Sequence, residues 1–287
     1  ADSTGQVSLK DLFDKPDSLE GENNLNIDKL AFLICRGGWP HAVGMREKIA
    51  LAQAEDYYEA VIKSDINRAD GVSKNPERVK RLLRSLARNQ GAQIANTMLK
   101  NDIVSNDTES LNEDTIASYL NALKKIFVIE DMPAWNPNLR SKTSIRSSDT
   151  RYFVDPSIAV SALGAGPQDL INDLNTMGLL FETLCVRDLR VYAEKIGGSV
   201  LHYRDKSGLE CDTVIHLKNG RYGLAEIKLG GQKLIEEGAA NLKALSNKID
   251  TSKMLAPSFL MIIIGVGEFA YKREDGIFIV PIGCLKD

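Results

Sequence analysis

Residues 209–228 read LECDTVIHLKNGRYGLAEIK, two apolar-rich runs separated by Lys218-Asn219-Gly220. An Asn-Gly pair between two such runs is a strong short-range signal for a β-hairpin. The runs also contain Asp212, Glu226 and Lys228, where strand composition favours valine, isoleucine or threonine. Glu226 and Lys228 are two residues apart, so they project from one face of a strand. The stretch therefore predicts a hairpin that carries charged groups.

The length of the turn decides which residues face each other. A two-residue turn of Asn219-Gly220 places Thr213 opposite Glu226 and points Asp212 to the other face. A three-residue turn, with Gly220 in the left-handed conformation, shifts the pairing by one residue. The opposed pairs are then Asp212 with Glu226, Glu210 with Lys228, and Val214 with Leu224. We expect this second register, because it gathers two carboxylates and an ammonium group at one point.

Two carboxylates beside a lysine suit a Mg²⁺-dependent phosphodiesterase. The carboxylates hold a hard, oxygen-preferring cation, and the lysine steadies the attacking water or the charge that develops on phosphate. The alternative is an acidic pair at the rim of a strand, with Lys228 as a simple ion-pair partner. Glu226-Ile227-Lys228 is the only Asp/Glu-x-Lys triplet in the sequence. It also lies on the second strand of the predicted hairpin, and both facts favour the metal site.

Composition limits the classes of protein to consider. The 287 residues correspond to roughly two domains. No apolar run is long enough to span a membrane, and the polar residues Ala1 to Gly5 do not resemble a signal peptide, so we expect a cytoplasmic protein without a membrane partner. The four cysteines have no metal-ligand or redox spacing, which predicts buried free thiols. A net charge of −3 and a pI near 5.8 count against a dedicated DNA-binding protein.

The order of the segments predicts an α+β multi-domain protein. Residues 1–70 form a mainly helical segment, with a tight turn at Arg36-Gly37-Gly38-Trp39-Pro40 that Trp39 anchors. Residues 71–155 contain three helices followed by a hairpin, the order of a winged-helix domain. Residues 156–287 contain a helix, three strands, a helix and two strands, which predicts an α/β sandwich with a mixed sheet.

The predicted winged helix has well-defined helical signals. Asn75 precedes Pro76 as a helix cap, and Val79, Leu82, Leu83 and Leu86 share the inner face of the helix that follows. The third helix begins at Asn112, with an apolar face that ends at Phe127. Acidic residues at its start would repel DNA phosphates, although the wing offers Arg140, Lys142, Arg146 and Arg151. A protein-packing role is therefore as well supported as DNA reading.

A further acidic residue precedes the hairpin. Glu182 lies on the predicted helix 176–195 and shares a face with Leu179, Cys185, Val186 and Leu189. A carboxylate on an apolar face of a helix needs a partner, because burying it without a hydrogen bond or counter-charge costs roughly several kcal/mol. Glu182 is either a rim residue paired with Arg187 or Lys195, or a third metal ligand brought over the hairpin.

Together these residues resemble the restriction-endonuclease-like PD-(D/E)xK nuclease fold. By this resemblance, the acidic helix residue of the fold corresponds to Glu182 and its hairpin aspartate to Asp212. The Glu-x-Lys motif of the fold corresponds to Glu226 and Lys228. The order of segments is also similar to the C-terminal part of a prokaryotic family of AAA+-type ATPases, in which an ATPase core precedes a winged helix and this nuclease-like domain. The segments that carry this second likeness are Gly5 to Phe13, Arg36 to Pro40, Arg151 to Asp155 and Gly178 to Glu182.

The sequence departs from that family at one important point. Such ATPases hold phosphates with a P-loop, Gly-x4-Gly-Lys-Ser/Thr, and the sequence contains no such motif. We therefore expect a C-terminal fragment in which residues 1–70 are the remnant of the ATPase lid, and ATP would bind only to the full-length protein. The resemblance implies a Mg²⁺- or Mn²⁺-dependent module that cleaves DNA, with Glu182, Asp212 and Glu226 as metal ligands and Lys228 assisting water. The alternative is a non-catalytic scaffold that binds a protein or a nucleic acid.

Overall fold

A computed structural model of the chain describes Thr4 and residues 6–15, 19–104, 112–137 and 148–287. Its class is α+β, as the sequence predicts. The described residues form two compact units, each assembled from separated parts of the chain. The sheet unit takes its residues from Ala1–Leu30, Met132–Asp149 and Cys185–Asp287. The helical unit takes its residues from Ala31–Asp131 and Thr150–Leu184. The predicted domain boundaries, 70/71 and 155/156, stay predictions.

Most of the helices precede the long strands of the sheet. In chain order they are α1 (Leu9–Asp14), α2 (Ile27–Arg36), α3 (Glu47–Ala60), α4 (Ile66–Arg68), α5 (Pro76–Arg88), α6 (Asn96–Val104), α7 (Glu113–Lys125), α8 (Pro156–Leu163), α9 (Pro167–Asn172), α10 (Leu174–Lys195) and α11 (Gln232–Lys248). A π-helical segment, Val61–Asp65, joins α3 to α4, so residues 47–68 form one continuous helical stretch within the mainly helical segment that the sequence predicts.

The strands are concentrated in the last third of the chain. They are β1 (Val7–Ser8), β2 (Gly21–Glu22), β3 (Ile129–Met132), β4 (Thr150–Phe153), β5 (Gly198–Arg204), β6 (Glu210–Leu217), β7 (Tyr222–Lys228), β8 (Leu260–Ile264), β9 (Phe269–Lys272), β10 (Phe278–Pro281) and β11 (Leu285–Lys286). Strands β1, β2, β9 and β11 were not predicted; β1, β2 and β11 have only two residues each, too few to show an alternating pattern.

In the helical unit, α5, α6 and α7 precede the β3–β4 pair, which is the predicted order of elements. The Asn75 side chain caps α5 by accepting hydrogen bonds from the amides of Glu77 and Arg78. The Asn112 side chain caps α7 in the same way, through the amide of Thr115. These caps fix where both helices begin, because they satisfy amides that lack a partner within the helix. The four inward residues predicted for α5 are all buried.

Phe127 does not lie where the sequence predicts it. The sequence predicts it on the apolar face of the third helix, but α7 ends at Lys125 and Phe127 has a φ of 55°. The left-handed backbone turns its ring away from that face, and 77% of the residue is exposed. Strand β3 begins two residues after Phe127, at Ile129.

The turn at Arg36 to Pro40 is anchored within the helical unit, as predicted. Gly37 has a φ of 74°, and a side chain there would collide with Asp155 and Ser157. The amide of Gly38 donates to Asp155 Oδ2 at 2.8 Å, and Trp39 Nε1 donates to Ser157 Oγ at 2.9 Å. Asp155 is itself the cap of α8. Glycine is thus required at position 37, because the backbone must approach the buried start of another helix.

The sheet unit contains a seven-stranded mixed sheet in the order β2-β9-β10-β8-β7-β6-β5. Strands β5, β6 and β7 are antiparallel neighbours, whereas β7, β8 and β10 run parallel. The parallel step from β7 to β8 is made through α11, which is the connection that parallel strands require. The predicted mixed sheet is confirmed. A separate parallel pair joins β1 to β11.

Helix α11 covers one face of this sheet. Tyr222, Leu224 and Ile262 of the sheet form a core with Leu242 and Leu245 of the helix. Because side chains alternate along a strand, Glu226 and Lys228 lie on the same face of β7 as Tyr222 and Leu224. The apolar core therefore continues directly into the charged end of β7.

The part of the chain that the structure describes contains no helix long and apolar enough to cross a membrane. All four cysteines are buried and free, as predicted: Cys35, Cys185, Cys211 and Cys284.

Candidate functional site

The β6–β7 hairpin has the three-residue turn that the sequence predicts. Val214 pairs with Leu224 and Ile215 pairs with Gly223, which is the second of the two registers considered. Gly220 has a φ of 84°, and its amide donates to the carbonyl of Leu217 at 3.0 Å. This register directs the Asp212 side chain to the face that carries Glu226 and Lys228. The ladder ends next to Asp212, whose Oδ2 accepts a hydrogen bond from the amide of Ile227 at 2.7 Å.

Asp212, Glu226 and Lys228 form one ion cluster. Lys228 Nζ lies 2.7 Å from Glu226 Oε2 and 3.1 Å from Asp212 Oδ2. The Glu226 side chain is 1% exposed, whereas the side chains of Asp212 and Lys228 are about one-fifth exposed. Helix α11 accounts for this burial, since a side-chain carbon at Gly238 would lie 3.4 Å from Glu226 Cβ. The cluster thus has a buried floor, Glu226, and two groups that reach solvent.

Burial and neighbouring charges shift the pKa values of Glu226 and Lys228. Loss of hydration on burial and repulsion by Asp212 raise the pKa of Glu226 to about 8, against the opposing pull of Lys228. Burial disfavours the ammonium of Lys228, but the two carboxylates outweigh it and hold its pKa above the ordinary value. When Glu226 is deprotonated, two carboxylates face one ammonium, and the cluster in that state favours an additional positive charge over an additional negative one.

One oxygen of the buried carboxylate has no partner. Glu226 Oε1 is buried without a hydrogen bond among the described residues. An orphan carboxylate oxygen is costly, so native structures supply it with a partner such as water, a ligand or a cation. Oxygen donors from two carboxylates fit a hard cation such as Mg²⁺. Within the described ranges, however, no group of three or more His, Cys, Asp or Glu side chains could hold a metal ion.

Glu182 belongs to the helical unit, whereas the other three candidate residues belong to the sheet unit. The Tyr152 hydroxyl donates to Glu182 Oε1 at 2.6 Å, so a phenol of β4 supplies a partner for this carboxylate. Tyr152 was not predicted as this partner, because thirty residues separate it from Glu182 and no local pattern connects the two. Of the partners considered from sequence, Arg187 pairs with Asp188 and Lys195 with Asp287.

The basic residues considered for nucleic-acid contact are partly engaged. Arg151 pairs with Asp131, which also accepts from Lys124. Arg140, Lys142 and Arg146 lie outside the described residues.

Two known family models match separate parts of the chain. Residues 27–169 match the family model of a domain of unknown function (DUF8612), and residues 177–285 match that of a second domain of unknown function (DUF4143). DUF4143 often occurs in proteins associated with AAA-type ATPases. All four candidate site residues lie within the second match. No curated protein and no solved structure matches the chain.

Proposed function

We propose that the cluster of Asp212, Glu226 and Lys228 binds a divalent cation, Mg²⁺ or Mn²⁺, and supports hydrolysis of phosphodiester bonds in DNA. The observation that carries this proposal is the orphan Oε1 of Glu226, at the floor of a cluster in which two carboxyl groups surround one ammonium group. A bound cation would partner that oxygen and lower the pKa of Glu226, which burial otherwise raises.

The donor set fits Mg²⁺ better than a softer metal. Asp212 and Glu226 supply carboxylate oxygens, and Mg²⁺ is commonly held by one or two carboxylates while waters and phosphate oxygens complete its shell. The buried thiol of Cys211 is adjacent in sequence, but burial and the two carboxylates raise its pKa well above the ordinary value. It therefore stays protonated and is a poor ligand.

The reaction requires water as the nucleophile. A water oxygen forms a new bond to phosphorus, the bond to the leaving sugar oxygen breaks, and that oxygen takes up a proton. A bound divalent cation would acidify water and neutralise charge on the phosphate oxygens. Lys228, which is partly exposed, would hold the attacking water or the charge that develops on phosphate. Asp212 keeps the lysine in place through its ion pair.

The resemblance to PD-(D/E)xK nucleases supports the proposal in its finer details. It assigns Glu182 as a third metal ligand, and it assigns residues 71–155 as a winged helix that could bind DNA or pack against protein. The frequent occurrence of DUF4143 in ATPase-associated proteins agrees with a module that a AAA+-type ATPase drives or gates. The negative net charge implies that contacts to DNA come from local basic patches.

A second candidate function is a non-catalytic scaffold that binds a protein or nucleic acid. It is favoured by the contacts that the cluster already makes, because Lys228 bridges both carboxyl groups and the Ile227 amide donates to Asp212 Oδ2. In that case the three residues would act as a buried ion cluster that fixes the end of β7 beneath α11.

Metal titration distinguishes the two functions. We expect calorimetric binding of Mn²⁺ to the wild-type chain and at least tenfold weaker binding to Asp212→Asn, which keeps the shape but removes the charge, about 1.4 kcal/mol or more. Glu237→Gln is the matched control, since Glu237 is an exposed carboxylate on the same unit. Its binding should equal that of the wild type.

Cleavage assays then test the chemistry. We expect the wild type to cut DNA with Mg²⁺ or Mn²⁺, and Lys228→Met to retain metal binding but lose cleavage. If neither the wild type nor Asp212→Asn binds metal, the scaffold is the better description. Metal binding without cleavage of any DNA or RNA substrate would also overturn the nuclease proposal.

A further inference from the structure

The sheet unit contains a large cleft at the turn end of the β6–β7 hairpin. Its volume is ≈ 1020 Å³, at the upper end of the range for small-molecule sites, about 300–1,000 Å³. Asn219 and Gly220 of the turn line it, together with Trp135 and the segment that follows α11. Lys228 lies at the other end of β7, eight residues beyond Gly220. At about 3.3 Å per residue, the hairpin turn is therefore roughly 26 Å from Lys228 along β7, and His216, which also lines the cleft, is roughly 13 Å from Asp212 along β6.

The walls of the cleft are apolar and held firmly. Trp135, Leu201, Met254 and Leu255 contribute large side chains, and Leu255 is 56% exposed. The Trp135 ring lies 5.0 Å from the ring of Tyr222, and the Tyr222 hydroxyl donates to the carbonyl of Leu255 at 2.7 Å. One aromatic residue thus fixes both walls. A preformed apolar wall lowers the entropic cost of binding an apolar group.

The polar groups of the cleft carry an excess of positive charge. Lys218, Lys248 and Lys253 line it with a single carboxylate, Asp250. Lys253 pairs with Asp250, and Lys248 pairs with Asp205. Lys218, at the exposed hairpin turn, forms no ion pair with a described residue. Its ammonium group is therefore available to an anion at the mouth of the cleft.

His216 adds a neutral polar group to the same wall. Its ring stacks on Tyr222, with centroids 6.3 Å apart, and burial lowers its pKa. The imidazole is therefore uncharged at neutral pH and can donate or accept one hydrogen bond. The cleft combines an apolar interior, a neutral histidine and the ammonium group of Lys218 at its mouth.

We propose that this cleft binds a small amphipathic anion, with an apolar chain or ring against Trp135, Leu201, Met254 and Leu255 and one carboxylate or sulfonate at Lys218. Charge complementarity selects an anion over a cation, and the apolar walls select an amphiphile over a free phosphate. The site is separate from the ion cluster and does not depend on the function proposed for it.

Fluorescence of 8-anilinonaphthalene-1-sulfonate tests the proposal on the full chain, because this probe carries an aromatic body and one sulfonate. We expect saturable binding with a stoichiometry of one. Decanoate should displace the probe, and decanol, which has the same chain length without the charge, should displace it at least tenfold less effectively. No saturable binding, or equal displacement by decanoate and decanol, would overturn the proposal.

Two pairs of variants locate the probe. Lys218→Ala should weaken binding about fivefold or more, whereas Lys233→Ala, which removes an exposed lysine of α11, should not. Leu255→Asp should abolish binding, whereas Leu234→Asp should leave it intact, because Leu234 is an exposed leucine (40%) outside the cleft. Urea denaturation shows whether each variant is folded. Probe fluorescence that persists in folded Leu255→Asp would place the probe elsewhere and refute the assignment.

Discussion

Glu226 gives the cluster a measurable pH dependence. In the unfolded chain its pKa is near the ordinary glutamate value, about 4.3, whereas burial and Asp212 raise it to about 8 in the fold. Between these pH values the folded state keeps a proton that the unfolded state has lost. The free energy of unfolding therefore decreases as pH rises through this window and is constant above it.

The substitution Glu226→Gln tests this linkage. The amide does not titrate, so the variant should gain stability relative to the wild type as pH rises from 5 to 8.5. We expect a change of a few kcal/mol, since each unit of pKa shift corresponds to about 1.4 kcal/mol. Urea denaturation in the absence of divalent cations measures it. A stability difference that does not vary with pH would show that Glu226 is not protonated in the fold.

Lys228 should stabilise the fold more at high pH than at low pH. Lys228→Met removes the ammonium that lies 2.7 Å from Glu226 and leaves two carboxylates without a counter-charge. We expect a loss of about 1–3 kcal/mol at pH 8.5, less than for a fully buried pair because Lys228 is partly exposed. The loss should be smaller at pH 5, where Glu226 is protonated.

Lys233→Met is the control for this measurement. The Lys233 side chain is 89% exposed, so its substitution should change stability by less than about 0.5 kcal/mol. An equal loss for Lys228→Met at both pH values would mean that packing of the lysine stem matters more than its charge.

At the level of the element, the hairpin turn depends on one glycine. Gly220 has a φ of 84° and nothing within 4 Å of the position that a side-chain carbon would take. The cost of Gly220→Ala is therefore conformational and should be about 1–2 kcal/mol in urea denaturation. If the alanine variant were as stable as the wild type, the turn would not need a left-handed residue.

In helix α10, a glycine-to-alanine substitution should stabilise the chain. Gly178 lies within this helix with no positive φ, and no atom lies within 4 Å of the position that an alanine Cβ would take, so alanine fits without strain. Gly178→Ala should stabilise the chain by about 0.5–1 kcal/mol in urea denaturation, because alanine loses less backbone entropy on folding. A destabilised Gly178→Ala variant would contradict this assignment.

The elements that the sequence predicted best are those with local signals. The caps at Asn75 and Asn112 and the turn at Gly220 depend on residues within a few positions, so pattern alone determines them. The prediction for Phe127 was wrong because one left-handed residue ends the periodicity without a glycine to mark it.

The candidate site was only partly predictable. The hairpin register brought Asp212, Glu226 and Lys228 together as expected, because side-chain alternation fixes faces once the turn is known. The Tyr152 partner of Glu182 and the cleft beside Trp135 come from contacts between distant segments. No spacing in the sequence indicates such contacts.

For the whole molecule, we expect no ATP hydrolysis by the purified chain. The sequence has no Gly-x4-Gly-Lys-Ser/Thr motif, whose amides and lysine hold the phosphates in P-loop ATPases. Release of inorganic phosphate from Mg²⁺–ATP measures this directly. A rate above background that persists through purification would require a nucleotide site of another kind.

The pairing of β2 with β9 joins Gly21 to Ala270, two residues that lie far apart along the chain. The chain emerges from the ribosome with its N-terminus first, so residues 31–184 emerge before any strand from β5 onward. The segment that contains β2 must therefore wait unpaired until β9 has been synthesised. In nascent chains halted before residue 269, the β2 segment would therefore be unpaired and accessible to chaperones or proteases. It pairs only once β9 has left the ribosome.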